Sequence, residues 1–226
     1  MGKLIVVEGL DGSGKSTQTQ ELFKELYDQG RNVRLISFPN YQSKTGELVA
    51  MYLNGEYGNS ADSVNAYAAS TFYAIDRYSS YVKGWKEFYA ENDSIVIASR
   101  YTTANAIHQL AKLEREEWDS YLTWLYDFEF KKLGLPKPDK VLFLDVRPDL
   151  TQALIEKRTE QTGQQKDIHE KDMEFVLKCY KAANYSCDKL SWTKIECYND
   201  DEILSVEDIK AKLIEEVTLL LDRNGD

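Results

Sequence analysis

A glycine-rich loop near the N-terminus constrains the fold of this chain more than any other feature. Residues 9–16 read Gly-Leu-Asp-Gly-Ser-Gly-Lys-Ser, a complete G-x-x-x-x-G-K-[ST] phosphate-binding loop. The apolar run at residues 4–7 precedes the loop and predicts a buried parallel strand. Residues 17–27 follow it, and the spacing of Leu22 and Leu26 predicts an amphipathic helix. A strand, a glycine loop and a helix in this order indicate a nucleotide site rather than a chance turn.

The residue types of the loop suit a chain of phosphates. Glycine at positions 9, 12 and 14 permits backbone turns that a Cβ would forbid. Backbone N–H groups can then converge on phosphate oxygens at the helix N-terminus. We expect the Lys15 ammonium to reach the β and γ phosphates and the Ser16 hydroxyl to ligate Mg²⁺. The predicted donor site comprises Gly9, Leu10, Asp11, Gly12, Ser13, Gly14, Lys15, Ser16 and Thr17.

The charge balance narrows the class of partner. The formal net charge is −10, and no basic stripe interrupts the sequence, which argues against a nucleic-acid partner. An acidic protein that binds a nucleotide must concentrate positive charge locally. The cations available for this are Lys15, Arg77, Arg100 and Arg158.

The length and the cysteines predict a small cytoplasmic protein. A chain of 226 residues without linkers or repeats suits one domain over residues 1–226. The three cysteines, Cys179, Cys187 and Cys197, lack C-x-x-C spacing, which predicts thiols without disulfides in a reducing compartment. The first strand begins almost at the N-terminus, so we expect no signal peptide. No apolar run is long enough to cross a bilayer, so we expect no membrane partner.

Strands and helices alternate along the chain. Strands are predicted at residues 4–7, 33–38, 94–98, 141–146 and 193–198. Long helical segments are predicted at 60–91, with Ser60 as the N-cap, and at 103–113 and 116–133. This alternation predicts an α/β fold of three layers, α/β/α, around a five-stranded parallel sheet. Ligands should bind at the carboxyl ends of the strands.

A series of short motifs from Lys3 to about Tyr180 resembles the thymidylate (dTMP) kinase family. The run E-G-L-D-G-S-G-K-S-T-Q at residues 8–18 is similar to the phosphate loop of the family. No later motif is specific by itself, but their order and spacing together are. These motifs are Phe38-Pro39, the Y-A-I-D-R block at 73–77, Ser99-Arg100-Tyr101 with Asn105, G-L-P-K-P-D at 134–139, L-F-L-D-V at 142–146 and D-I-H-E at 167–170.

The resemblance implies a P-loop kinase fold with a short lid at about residues 158–168. It also implies transfer of the γ-phosphoryl group from ATP to dTMP with Mg²⁺, in a homodimer. The catalytic residues implied are Lys15, Asp11, Arg100 and Arg158. Arg158 is included because the loop carries Gly12 and Ser13 rather than arginine, so the lid must supply the cation; Lys157 and Lys166 are substitutes. A solvated surface arginine is the alternative for Arg158.

The acceptor site implied by the resemblance draws on several segments. Its residues are Asp11, Phe38, Tyr73, Arg77, Arg100, Asn105, His108, His169 and Glu170. Tyr73 and Arg77 lie one helical turn apart, so the ring can stack on the base while the guanidinium holds a base carbonyl or the phosphate. A core aromatic and a surface ion pair are the alternatives for these two. Phe38 can equally be a buried strand-end aromatic, and Asn105 a helix-surface amide.

Position 99 departs from the family pattern. Ser99 stands where the family has an aspartate that resembles a metal-holding acid. Metal binding would then depend on Ser16, the phosphates, and Glu8 or Asp145, and we expect weaker Mg²⁺ binding or slower turnover.

Two histidines also depart from the pattern. His108 replaces a tyrosine that crowds the sugar 2′ position, and His169 replaces the tyrosine of a D-x-Y-E segment. The histidines leave open a related nucleoside or nucleotide kinase with another acceptor, and Ser99 leaves open a nucleotide-binding homologue with little catalysis. The aromatic faces of helices 60–91 and 116–133 suit either a dimer interface or the core.

Overall fold

A parallel sheet of five strands forms the centre of the molecule. The computed structural model describes residues 1–58, 60–151 and 173–222. The strands are β1 (Lys3–Gly9), β2 (Val33–Ser37), β3 (Ile95–Ser99), β4 (Lys140–Asp145) and β5 (Thr193–Glu196). They lie in the order β2-β3-β1-β4-β5, and every neighbouring pair is parallel. The predicted five-stranded parallel sheet is therefore confirmed.

Helices cover both faces of this sheet. They are α1 (Lys15–Asp28), α2 (Lys44–Leu53), α3 (Ala66–Ser80), α4 (Lys86–Ala90), α5 (Thr102–His108), α6 (Trp118–Tyr126), α7 (Met173–Leu190) and α8 (Val206–Asp222). A π-helical turn, Tyr81–Trp85, joins α3 to α4, and another, Asp127–Lys132, extends α6. Residues 148–151 are also helical.

Two hydrophobic cores explain why the central strands β1, β3 and β4 are mostly apolar in sequence. Leu4 and Val6 of β1 pack in one core with Tyr121 of α6 and other side chains from α5 and α7. Ile5 and Val7 pack in the other core with Leu22 of α1 and residues of α8. Because successive side chains of a strand point to opposite faces, burial on both faces requires apolar residues at every position.

Several predicted boundaries are wrong, for local reasons. The long helix does not begin at Ser60, which caps only the 3₁₀ turn Ala61–Ser63; the Asn65 side chain accepts a hydrogen bond from the N–H of Ala68 and starts α3. The predicted helix at 103–113 ends as α5 at His108, and 3₁₀ turns separate it from α6. The strand predicted to reach Tyr198 ends at Glu196.

The chain after β5 forms a small hairpin instead of a longer strand. Strands β6 (Tyr198–Asn199) and β7 (Glu202–Ile203) pair antiparallel. Asp200 between them has a φ of 51°, a left-handed conformation that aspartate tolerates in turns. This turn reverses the chain before it enters α8.

The aromatic face predicted at 116–133 packs largely in the core, with Trp124 and Phe128 partly exposed. Trp118, Tyr121 and Leu125 are buried in the core that also contains β1. Apolar residues of α3 and the turn after it are more exposed: Ile75, Tyr78 and Val82 are 47%, 44% and 49% exposed. Of the two predicted dimer faces, the one on α3 and this turn is therefore the more exposed.

Two further predictions concern the cysteines and membrane-spanning helices. Cys179, Cys187 and Cys197 are buried and form no disulfide, as predicted. Across residues 1–58, 60–151 and 173–222, no helix combines the length and the apolar character that a membrane span needs.

The pKa of Lys112 offers a test of whether its ammonium is buried in the folded protein. Its ammonium donates hydrogen bonds to the Tyr52 hydroxyl at 2.7 Å and to the Val64 carbonyl at 3.0 Å. Burial lowers the pKa of Lys112 from 10.5 to about 8. Between these two values the unfolded chain holds a proton that the folded chain has lost, so the free energy of unfolding rises with pH.

We therefore expect wild type to gain about 2 kcal/mol relative to Lys112→Met as the pH rises from the folded pKa towards the unfolded one. Urea denaturation of both proteins at a series of pH values measures this difference, in which the other titrating groups cancel. A difference that stays constant with pH would contradict the buried position of this ammonium.

Candidate active site

The phosphate loop follows directly from the end of β1. A Cβ on Gly9 would lie 2.5 Å from the Ser13 Oγ and 3.1 Å from the Leu144 carbonyl oxygen, so this position requires glycine. Gly14 has a φ of 83° at the N-cap of α1, a left-handed conformation that glycine adopts without strain. The loop closes through a hydrogen bond from the Ser13 N–H to the Leu10 carbonyl at 3.2 Å.

The loop is built to receive an anion. The first turn of α1 carries no acidic residue, and Gly14 has no side chain to cap its N–H groups, which leaves these donors for a ligand. The Ser13 Oγ is buried and finds no hydrogen-bond partner among the described residues. Lys15 is buried at the same end of the helix, where its Nζ donates to the Leu10 carbonyl at 2.6 Å. Ser16 is exposed beside it. This arrangement fits a phosphate chain, with one hydroxyl for a metal ion bound to the phosphates.

Arg100 lies opposite the loop, one residue beyond β3. Its guanidinium forms an ion pair with Asp11, and its Nη1 lies 3.8 Å from Glu8 Oε1 and 2.9 Å from His108 Nε2. The ring of His108 also lies 3.6 Å, through Nδ1, from Cys179 Sγ. Burial lowers the pKa of Arg100, but the carboxylates of Asp11 and Glu8 outweigh burial and raise it above the ordinary value. The structure thus brings together three predicted site residues, Asp11, Arg100 and His108, around a permanent positive charge.

Arg77 lies in a different electrostatic environment. It is 1% exposed, and its Nε and Nη2 donate to the two oxygens of Glu129 at 2.7 Å and 2.6 Å. Its Nη1 donates to the Tyr101 carbonyl at 3.2 Å. Burial lowers the pKa of Arg77, but Glu129 raises it more. The alternative of a surface ion pair is therefore wrong: Arg77 is a buried cation whose charge a buried carboxylate balances.

Asn105 is buried beside this pair. Its Nδ2 lies 3.5 Å from Glu129 Oε1 and 3.5 Å from the Ser70 carbonyl oxygen. It is 1% exposed, so the alternative of a helix-surface amide is also wrong. The structure places Asn105 and Arg77, from two different helices, on one carboxylate.

The predicted aromatic residues lie at the end of β2 and on α3. Phe38 is buried, and its ring centroid lies 6.0 Å from that of Tyr101. Tyr73 is partly buried, packs edge-on against Tyr52, and lies close enough to Arg100 to raise the pKa of that guanidinium. Phe38 therefore has the position of a strand-end core aromatic, whereas Tyr73 faces the charged cluster.

A buried aspartate holds the loop that follows Phe38. The carboxylate of Asp76 accepts hydrogen bonds from the Asn40 N–H at 2.8 Å and from the hydroxyls of Ser43 and Thr45, both at 2.9 Å. These bonds tie the segment between β2 and α2 to α3, one residue before Arg77. These bonds thereby fix the position of Phe38 relative to Arg77.

Sequence reasoning did not identify two buried acids, Glu8 and Glu129, as residues that hold the arginines of the site in place. Glu8 accepts hydrogen bonds from the Gly9 N–H at 3.1 Å and the Thr103 hydroxyl at 2.8 Å, and it faces Arg100. Glu129 is 0% exposed although it stands between Phe128 and Phe130 in a helical run. An acid within an apolar helix face was the available signal, because such a residue is buried only with a cationic or donor partner.

Ser99 and Asp145, which the sequence analysis considered in connection with the metal ion, both lie at the carboxyl ends of strands. Ser99 lies at the end of β3, opposite Val7 of β1. Asp145 accepts a hydrogen bond from the Tyr180 hydroxyl at 3.0 Å, and burial raises its pKa. Within the part of the chain that the structure describes, histidine, cysteine and acidic side chains form no cluster of three that could hold a metal ion. The predicted lid at about residues 158–168, with Arg158, and the residues His169 and Glu170 lie outside the described residues.

Comparison with known proteins identifies the family of this chain. The family model for thymidylate kinase matches residues 7–201. A thymidylate kinase of Mycobacterium tuberculosis is 35% identical over 175 residues, which cover 76% of this chain and 79% of that protein. One of Plasmodium falciparum is 28% identical over 220 residues, covering 96% and 90%. The solved thymidylate kinase of Candida albicans shares the fold, with a TM-score of 0.69 at 21% identity over 96% of this chain and 92% of that one. With a matched family model that spans the phosphate loop, Arg77, Arg100 and β4, the chain belongs to the thymidylate kinase family.

Proposed function

We propose that this chain transfers the γ-phosphoryl group of ATP to dTMP, which yields ADP and dTDP. One observation carries the proposal: Asp11 lies between the two cations of the site. Its carboxylate pairs with Arg100 and lies 3.9 Å from the Lys15 ammonium. A donor triphosphate at Lys15 and an acceptor phosphate at Arg100 would therefore meet beside one residue of the loop, as phosphoryl transfer requires.

On the donor side, we infer that ATP binds along residues 9–17. Lys15 would exchange its hydrogen bond to the neutral Leu10 carbonyl for bonds to phosphate oxygens, which are stronger because both partners are then ionised. Mg²⁺, held by the Ser16 hydroxyl and the phosphates, would supply neutralisation of the charge on the triphosphate. Ser16 is exposed at the start of α1, where a metal ion can reach it.

On the acceptor side, the two arginines differ in position and exposure. Arg100 lies beside the phosphate loop with its side chain 18% exposed, so a ligand can reach it, and we assign the acceptor phosphate to it. Arg77 is buried and Glu129 balances its charge, so the pair has no net charge, and we assign a base carbonyl to the N–H donors of Arg77. Asn105 would complete the contacts to the base. Tyr73 would stack on the base, with Phe38 behind it, His108 near the sugar, and His169 and Glu170 supplied from the segment after the lid.

The chemistry needs no protein nucleophile, because an oxygen of the acceptor phosphate attacks the γ-phosphorus. The protein contributes position and positive charge. Lys15 and Arg100 would neutralise the donor and acceptor phosphates, Asp11 would orient Arg100, and Arg158 of the lid would supply the remaining cation. Closure of the lid would exclude water and so suppress ATP hydrolysis.

The direct test is an acceptor screen with Mg²⁺-ATP. Formation of ADP is measured with dTMP, dUMP, UMP and thymidine, and we expect the highest kcat/KM for dTMP. Lys15→Ala should lower kcat by about 100-fold or more, since charge on the transferred phosphoryl group is left without its cation. A higher kcat/KM for another acceptor would replace dTMP by that acceptor. Binding of ATP without transfer to any of them would identify a non-catalytic nucleotide-binding protein.

Ser99 generates a second prediction about Mg²⁺. Ser99→Asp adds a carboxylate at the end of β3, next to the phosphate loop, and should lower the Mg²⁺ concentration for half-maximal rate about threefold or more. Ser99→Ala is the matched control, because it removes the hydroxyl without adding charge. An Asp variant with unchanged rate and unchanged Mg²⁺ dependence would refute the role that we give to this position.

We also propose a homodimer through the exposed face of α3 and the π-helical turn that follows it. Ile75, Tyr78 and Val82 lie at helical spacing and expose large apolar surfaces that a second copy could cover. Tyr78→Glu should shift the molecular mass in sedimentation from dimer towards monomer, because it places two charges in a symmetric interface. Tyr27→Glu, at an exposed tyrosine on α1, is the control. A wild-type protein that sediments as a monomer contradicts the proposal.

A further inference from the structure

Glu129 is a buried acid to which the proposed reaction gives no direct task. It lies on the π-helical turn after α6 and is 0% exposed. Its Oε2 accepts from Arg77 Nε and from the Thr102 hydroxyl, both at 2.7 Å. Its Oε1 accepts from Arg77 Nη2 at 2.6 Å and lies 3.5 Å from Asn105 Nδ2. One carboxylate thus contacts both residues that we assign to the acceptor base.

The carboxylate restricts how Asn105 can present its amide. A carboxylate only accepts hydrogen bonds, and so does the Ser70 carbonyl oxygen, which lies 3.5 Å from the same Nδ2. Both neighbours favour the NH₂ group on their side of the amide. The Oδ1 of Asn105 is then the group that remains for a ligand. Replacement of the carboxylate by a group that can donate would remove this preference.

The same carboxylate also restricts Arg77. Two parallel hydrogen bonds hold the guanidinium in one plane, and a third bond, to the Tyr101 carbonyl, fixes its other arm. Because Glu129 balances its charge, Arg77 offers a ligand N–H donors in a fixed direction rather than a general attraction for anions.

Together the two residues present one donor and one acceptor in a fixed order. A pyrimidine with a 4-oxo group and an N3–H matches this order, because its O4 accepts and its N3 donates. A 4-amino pyrimidine reverses both groups. We propose that Glu129 is a positioning residue that sets this order and thereby selects 4-oxo over 4-amino pyrimidine monophosphates. The proposal rests on the proposed function, in which Arg77 and Asn105 contact the base.

The experiment compares kcat/KM for dTMP and dCMP with Mg²⁺-ATP. We expect wild type to prefer dTMP by at least about 100-fold, because the amino pyrimidine leaves buried polar groups facing like groups. Glu129→Gln keeps the shape of the side chain but adds a donor, so the preference should fall about tenfold or more while the KM for ATP stays within about twofold. Glu129→Asp remains an acceptor only and should keep most of the preference.

Two further variants separate positioning from simple loss of stability. Ser186→Ala removes a buried hydroxyl that donates to the Ala106 carbonyl at 2.7 Å, also against α5 but away from Glu129, and should leave the preference unchanged. Thr102→Val removes one donor to Glu129 and should lower the preference for dTMP over dCMP about threefold. If a melting curve shows that Glu129→Gln does not fold, Thr102→Val is the variant that tests the role of Glu129.

The outcomes distinguish this inference from the proposed function. If Glu129→Gln, or Thr102→Val in its place, lowers kcat/KM for dTMP and dCMP by the same factor, Glu129 is only structural and the inference is overturned, while dTMP phosphorylation stands. If wild type phosphorylates neither nucleotide, the proposed function fails and the inference fails with it.

Discussion

The ion pair between Asp11 and Arg100 joins the two halves of the site. Asp11 belongs to the phosphate loop, and Arg100 belongs to the segment after β3. Strands β1 and β3 are parallel neighbours, with Val7 level with Ser99, so their carboxyl ends bring the two charged side chains together. The proposed meeting of donor and acceptor phosphates depends on this register, because a shift by one residue would turn Arg100 to the other side of the sheet.

A second guanidinium–carboxylate pair lies deeper and does different work. Arg100 is paired with Asp11 at the partly open end of the site, next to Lys15, where a bound phosphate could contact both cations. Arg77 and Glu129 are both fully buried, and the pair is neutral as a unit. A buried pair of this kind is costly to desolvate and adds little stability, whereas it holds its members in one geometry. The two arginines therefore have different roles: Arg100 is an accessible cation next to Lys15, and Arg77 is a donor group held in one orientation.

The sequence predicted the sheet well and the helix boundaries less well. Apolar runs bounded by turn residues located the three central strands, because strands buried on both faces have few polar positions. The edge strands β2 and β5 carry exposed charged residues and were located by shorter apolar stretches. Ser60 and Asn65 are both good N-caps, and the chain uses both: Ser60 caps a short 3₁₀ turn and Asn65 caps α3. Tyr198 was included in the predicted fifth strand, but the turn at Asp200 pairs it with Ile203 instead. Competing local signals of similar strength are decided by tertiary contacts.

The sequence by itself determined the phosphate loop, the parallel α/β architecture and the family, since these depend on residue spacing and on the alternation of apolar segments. Only the tertiary structure decided the environments of the charged residues. Arg77 and Arg100 are alike in sequence, and Glu129 lies 52 positions after Arg77. The charge that an arginine offers to a ligand depends on its burial and on the carboxylates around it, and long-range packing sets both.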